Sequence, residues 1–268
     1  IVGCNQKSVA RFNVYGGQVA TKFFHVASNP SATGSVMVTG GCWTNSGNGT
    51  VGQYGFGEMT VSGGSLTWND WLMVASNDKG RGHLTLAGGT TQFAQILVSH
   101  YGGGDGVVDV TGGTNRYNRV QVGSQPNIRS LFRISGGTND FYGGDGLIIG
   151  SQGGAEAYIL GGGNHFTQIR IGQSSNKTDI VSSLVISNGF SHVDNTINVA
   201  DNIDNSGVLE LNGGLLEAKE IRGWAGAICK GGRGQAHLKA NGGTLRALDA
   251  ASVRSEEHTS ELQSLAYL

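Results

Sequence analysis

Two prolines and three cysteines are all that this chain of 268 residues contains, and charged side chains make up only 14% of it. Each scarcity excludes something. A chain almost free of proline can donate nearly every backbone N–H to a continuous ladder. Cys4, Cys42 and Cys229 stand far apart and form no C-x-x-C, which argues against a disulfide framework and against a zinc site of the usual spacing. The formal net charge of −1 comes without a basic stripe, so nucleic acid is not an expected partner. No apolar run approaches the roughly 20 residues of a membrane-spanning helix. No amphipathic helix pattern of useful length appears either.

What the chain has is glycine, 47 residues of it, arranged in pairs. The pairs begin at Gly16, Gly40, Gly63, Gly88, Gly112, Gly136, Gly161, Gly213 and Gly242, and Asn188-Gly189 fills the remaining slot. The spacing is about 24 residues, a period that marks a repeat architecture. Two and four residues before each pair stand apolar side chains: Phe12/Val14, Val36/Val38, Met59/Val61, Leu84/Leu86, Val108/Val110, Phe132/Ile134, Ala157/Ile159, Leu184/Ile186, Leu209/Leu211 and Leu238/Ala240. That alternation is the signature of a half-buried strand. A second strand after the pair carries Ile96/Val98, Val120/Val122, Leu147/Ile149, Ile169/Ile171 and Ile197/Val199, and ends on a small residue such as Gly123, Gly150, Gly172 or Ala200.

Strands this short cannot bury a face alone, whereas stacked coils can, about 4.8 Å apart. About 24 residues at roughly 3.3 Å each give a perimeter sufficient for three short sides. Parallel crossovers are right-handed by strong preference. The sequence therefore predicts an all-β fold: a single right-handed parallel β-helix of about ten coils over residues 1–253.

Five residues after the first glycine of a pair stand Trp68, Phe93, Tyr117, Phe141 and Phe166. In register these form a column of rings. The expected reading is an internal stack, and the competing one is an exposed sugar-binding stripe.

Motifs for chemistry are weak. Gly102-Gly103-Gly104-Asp105-Gly106-Val107-Val108-Asp109 superficially resembles the calcium-binding nonapeptide G-G-x-G-x-D-x-U-x, but its Asp is misplaced and tandem copies are missing. Asp105 is expected at a glycine-rich corner, as is Asp145 in Tyr142-Gly143-Gly144-Asp145-Gly146, a small extra loop. Asp194, Asp201 and Asp204, with Asn195, Asn198, Asn202 and Asn205, form an acidic stretch that oxygen-seeking cations could use, but a solvated turn is expected. Gly231-Gly232-Arg233-Gly234 lacks the Lys-Ser/Thr of a phosphate loop. His25, His83, His100, His165, His192 and His237 are read as sharing no coil position with one another or with a Ser or Cys nucleophile. No residue is assigned a catalytic, cofactor-binding or metal-binding role, and no cofactor is expected.

From Arg254 onward the repeat stops. Arg254-Ser255-Glu256-Glu257-His258-Thr259-Ser260-Glu261-Leu262-Gln263-Ser264 resembles the in-frame translation of a short-read sequencing adapter. Residues 254–268 are therefore expected to be a non-native tail outside the fold, on a translated metagenomic fragment. Without them Lys+Arg falls from 18 to 17 and Asp+Glu from 19 to 16, so the net charge moves from −1 to +1.

Units such as GVVDVTGGTNRYNRVQVGS and GHLTLAGGTTQFAQILVSH resemble the repeats of type V secretion (autotransporter passenger) and PEP-CTERM-associated proteins. The resemblance spans roughly residues 10–250. It implies an exported, elongated solenoid on a bacterial surface, with glycans or a neighbouring cell surface as partners. The membrane barrel or sorting signal of the parent protein would lie outside this fragment. It carries over no catalytic residue. The expected function is a non-catalytic, adhesin-like surface solenoid. The alternative is a polysaccharide-degrading β-helix enzyme, which would need converging carboxylates, for which Asp105, Asp140 and Asp145 are the candidates.

Overall fold

Alternating apolar residues and glycine corners produce the stacked coils they imply. The computed structural model describes residues 1–77, 79–101, 104–123, 130–173, 181–200, 206–223 and 235–248, and the backbone of Val253–Ser255. Within them the regular elements are β-strands arranged in two parallel sheets. Among the described residues no helix is long and apolar enough to cross a membrane.

The first sheet has ten strands, one per coil, from Val9–Val14 to Ala236–Ala240, each bonded to the strand one coil on. The second has 14 strands and covers two sides of each coil. In Ser65–Val74, Thr90–Val98 and Thr114–Val122 those two sides are one strand bent at a register shift, as between Phe93 and Gln95. The strand after the glycine pair thus begins at once and includes the ring position, and Ile-x-Val is its far half. The extra loop at 142–145 is such a shift enlarged: Tyr117 pairs with Phe141, but Arg119 pairs with Gly146.

The apolar pairs point inward and form one continuous core. The end rungs depart from that expectation. Phe12 and Leu238 are only half-buried and Ala240 is exposed, because few or no residues stack beyond them. Where another coil lies beneath it, the second glycine of a corner is a steric necessity. Gly137 has φ +81°, and a Cβ there would stand 2.7 Å from the carbonyl oxygen of Gly113 one coil below.

Val253–Ser255 pairs in parallel with Ile221–Gly223. The ladder therefore runs through Arg254 and Ser255, two residues past the boundary drawn at 253. Backbone pairing needs no particular side chain, so loss of the repeat pattern does not by itself end it. Residues 256–268 lie outside the described residues.

Trp68, Phe93, Tyr117, Phe141 and Phe166 are in register on successive coils and are almost fully buried. Phe93, Tyr117, Phe141 and Phe166 stack face to face, with centroids 6.0, 4.6 and 4.5 Å apart. Trp68 leans instead on Trp43, at 5.9 Å. The column is internal, which leaves no exposed sugar stripe there. The Tyr117 hydroxyl has no hydrogen-bond partner, and burial pushes its pKa far up.

Two residues before the rings runs a second internal column that the apolar pattern concealed. Thr91, Asn115, Asn139 and Asn164 are buried in register. The Thr91 hydroxyl donates to Asn115 Oδ1 (2.8 Å), Asn115 Nδ2 to Asn139 Oδ1 (2.9 Å) and Asn139 Nδ2 to Asn164 Oδ1 (2.9 Å). Asn139 Nδ2 also donates to the Gly136 carbonyl at 3.1 Å, tying the ladder to the corner. Each amide satisfies the next, so removing one strands its neighbours. Asn139→Ala is expected to cost about 2 kcal/mol in denaturant unfolding. A loss near zero would mean that water replaces the amide.

Candidate functional site

The residue between the two internal columns must face out, by the period of a strand. Along the second side this outward row reads Arg116, Asp140, His165, His192, Glu217 and Arg246, one per coil. Asp194, two residues after His192, points the same way and closes the row into a network.

The contacts alternate in charge. Arg116 Nε donates to Asp140 Oδ2 at 3.1 Å. Asp140 Oδ1 faces His165 Nδ1 at 2.9 Å, and His165 Nε2 faces both oxygens of Asp194 at 3.0 Å. His192 Nε2 approaches Asp194 Oδ1 at 3.3 Å, while its Nδ1 meets Glu217 Oε2 at 2.9 Å. Arg246 pairs with the other oxygen of Glu217. Glu217 is the most enclosed member, its side chain only 10% exposed. Burial alone would lower the His165 pKa, but the Asp140 and Asp194 carboxylates outweigh it and hold it above the usual value.

Other carboxylates are also paired along or across coils. Asp145, in the 142–145 insertion, lies between Arg119 and Arg170, at 3.6 and 3.5 Å. It edges an open groove of about 270 Å³ lined by Gln95, Asn118, Arg119 and Gly144. On the first sheet, Asp109 accepts from Arg133 Nη2 and faces His83 Nε2, each at 2.8 Å. Burial alone would raise its pKa. The hydrogen bonds from His83 and Arg133, with their charge, hold it at about 2 instead. Asp105 meets Arg81 at an exposed corner, 3.8 Å away.

The candidate hydrolase carboxylates therefore do not converge. Asp105 opens the first side, Asp140 lies in the middle of the second, and Asp145 lies at the bend into the third. The reading that the histidines share no coil position is overturned. His165 and His192 are lateral neighbours, each four residues after the first residue of its corner pair, with rings 5.7 Å apart. His83 and His237 also share a register, five residues before theirs. Counting by the nominal period of about 24 hides both matches, but counting from the corner pair, as for the ring column, shows them. Asp194 likewise is engaged by two imidazoles, not merely solvated. Asp201, Asp204, Asn202, Asn205, Gly102, Gly103 and 231–234 lie outside the described residues. Cys4 and Cys42 are exposed free thiols, and Cys229 lies outside the described residues.

No family model matches the chain, and no curated protein or solved structure matches it. Fold and geometry therefore carry the functional reading. An outward row of alternating carboxylates and bases on a stiff parallel ladder can bind a cation or lock coils together.

Proposed function

We propose that this chain is a non-catalytic structural segment of an exported bacterial surface protein, an adhesin-like solenoid that presents long flat faces to glycans or to a neighbouring cell. One observation carries this reading: Asp105, Asp140 and Asp145 are spread over different sides of the coil, and each is neutralised by an arginine. The repeat units resembling those of autotransporter passengers supply the exported, cell-surface part of the proposal. The rival reading, a polysaccharide-degrading β-helix enzyme, rests on the groove beside Asp145, where Arg119 and Arg170 could hold an acidic sugar.

Incubation with neutral and acidic polysaccharides, assayed for new reducing ends and unsaturated uronates, is expected to yield no product. Glycan-array or whole-cell binding by the same protein is expected to be measurable. Turnover abolished by Asp145→Asn, with the fold intact by circular dichroism, would establish the enzyme reading instead.

A further inference from the structure

We propose that His165, His192 and Asp194 form a binding site for a divalent transition-metal ion with affinity for imidazole, zinc being the probe of choice. The inference is independent of the surface role proposed above.

The placement of the two imidazoles between carboxylates leads to it. His165 Nδ1 and His192 Nδ1 each face a carboxylate, Asp140 and Glu217, both at 2.9 Å. An ionised carboxylate only accepts, so a neutral imidazole can satisfy one of its two carboxylates at a time, and the tautomer with the proton on Nδ1 is the one that leaves Nε2 free to ligate. Both Nε2 atoms then carry bare lone pairs, and both point at Asp194, itself an acceptor. In that tautomer three acceptors face one another, an arrangement that positive charge between them stabilises. Either each imidazole takes a second proton, or one cation fills the space.

The dimensions suit a cation. His165 Nε2 lies 3.0 Å from Asp194, His192 Nε2 lies 3.3 Å from it, and one ligand atom from each residue falls within 4.8 Å of the others. Metal bonds of about 2.0–2.1 Å at tetrahedral angles separate ligand atoms by roughly 3.3 Å, close to both imidazole-to-Asp194 distances. The outer shell is also built. Each imidazole is fixed by a carboxylate on its far nitrogen, the arrangement that orients metal-binding histidines and raises their basicity. Those carboxylates are in turn held by Arg116 and Arg246. With neutral histidines the network has three carboxylates (Asp140, Asp194, Glu217) against two arginines, a net charge of −1 that favours a cation. Two nitrogen ligands select zinc, nickel, cobalt or copper over calcium and magnesium, which prefer oxygen. The His165 and Asp194 side chains are 45% and 43% exposed, so water can complete the coordination.

The test is calorimetric titration of zinc chloride into the full chain at about pH 7.5, where metal competes well with protons. One ion per chain is expected. Asp194→Asn and His192→Gln should each weaken binding at least tenfold, and Asp140→Asn should do so roughly tenfold through loss of the outer shell. His83→Gln and the double variant Cys4→Ser/Cys42→Ser should leave affinity unchanged. Circular dichroism checks each fold. If His192→Gln misfolds, X-ray absorption on the zinc-loaded native chain decides, with two imidazole ligands expected. Absence of saturable binding, an affinity indifferent to Asp194→Asn, or absorption showing sulfur or fewer than two imidazoles would overturn the proposal.

Discussion

Phe141→Ala is expected to destabilise the solenoid by about 3–5 kcal/mol, the range for truncating a buried ring. Phe141 stacks on Tyr117 at 4.6 Å and on Phe166 at 4.5 Å, and meets the edge of Phe132 at 6.1 Å. Removing it leaves a gap in the middle of a column. The neighbouring rings stand on strands held by ladder hydrogen bonds on both sides, so they cannot close the gap cheaply. Lost stacking adds roughly 0.5–1.5 kcal/mol per ring pair. A solenoid is stabilised chiefly by contacts between adjacent coils, so the damage should be regional. Amide exchange should accelerate in the coils carrying Tyr117, Phe141 and Phe166 before it does near Trp43. Phe141→Leu, which keeps most of the volume, should lose much less. A loss under about 1 kcal/mol for the alanine variant would show that the column is loosely packed.

The second large effect is expected from Gly82→Ala, at about 3 kcal/mol. Its backbone angle is ordinary, and the obstacle is space. A Cβ at Gly82 would lie 2.2 Å from the Val51 carbonyl oxygen and 2.5 Å from the Ala75 nitrogen, both backbone atoms. The site belongs to a seam where the corner closing each coil crosses the strand that opens the next. At these crossings one side or the other lacks a Cβ. Ala27, Ala75, Ser99 and Ala200 take positive φ and face Gly34, Gly82, Gly106 and Gly207. Gly123 and Gly150 take positive φ and lie against Ala155 and Ser182. Thermal or denaturant unfolding of Gly82→Ala beside Gly16→Ala measures the effect. A methyl group added at Gly16 would meet nothing within 4 Å, so that variant should be tolerated nearly freely. Equal losses at Gly82 and Gly16 would refute the seam.

Much of this was legible in the residues. The inward positions follow from a period-2 alternation counted from a glycine corner, and both are local. Leu84/Leu86, Val108/Val110 and the ring column therefore fell where counting put them. The asparagine ladder escaped because Asn115, Asn139 and Asn164 are polar and the inward positions were traced by apolar residues alone. The repeated Thr or Asn three residues after the corner glycine was its one signal. The second side was misjudged in extent because its bend is a register shift, which only pairing with the neighbouring coil reveals.

The sequence by itself determined the coil, its corners and which side chains fill it, because each depends on alternation and steric freedom within a single repeat. The tertiary structure alone decided what the outward row does. His165 and His192 stand more than one nominal period apart, and their meeting over Asp194 depends on how coils of unequal length are brought back into register. That register is set by the buried faces and the ladder hydrogen bonds. The outward side chains inherit their neighbours from it: the shared position of His165 and His192 can be counted from the corner pairs, whereas their convergence on Asp194 cannot.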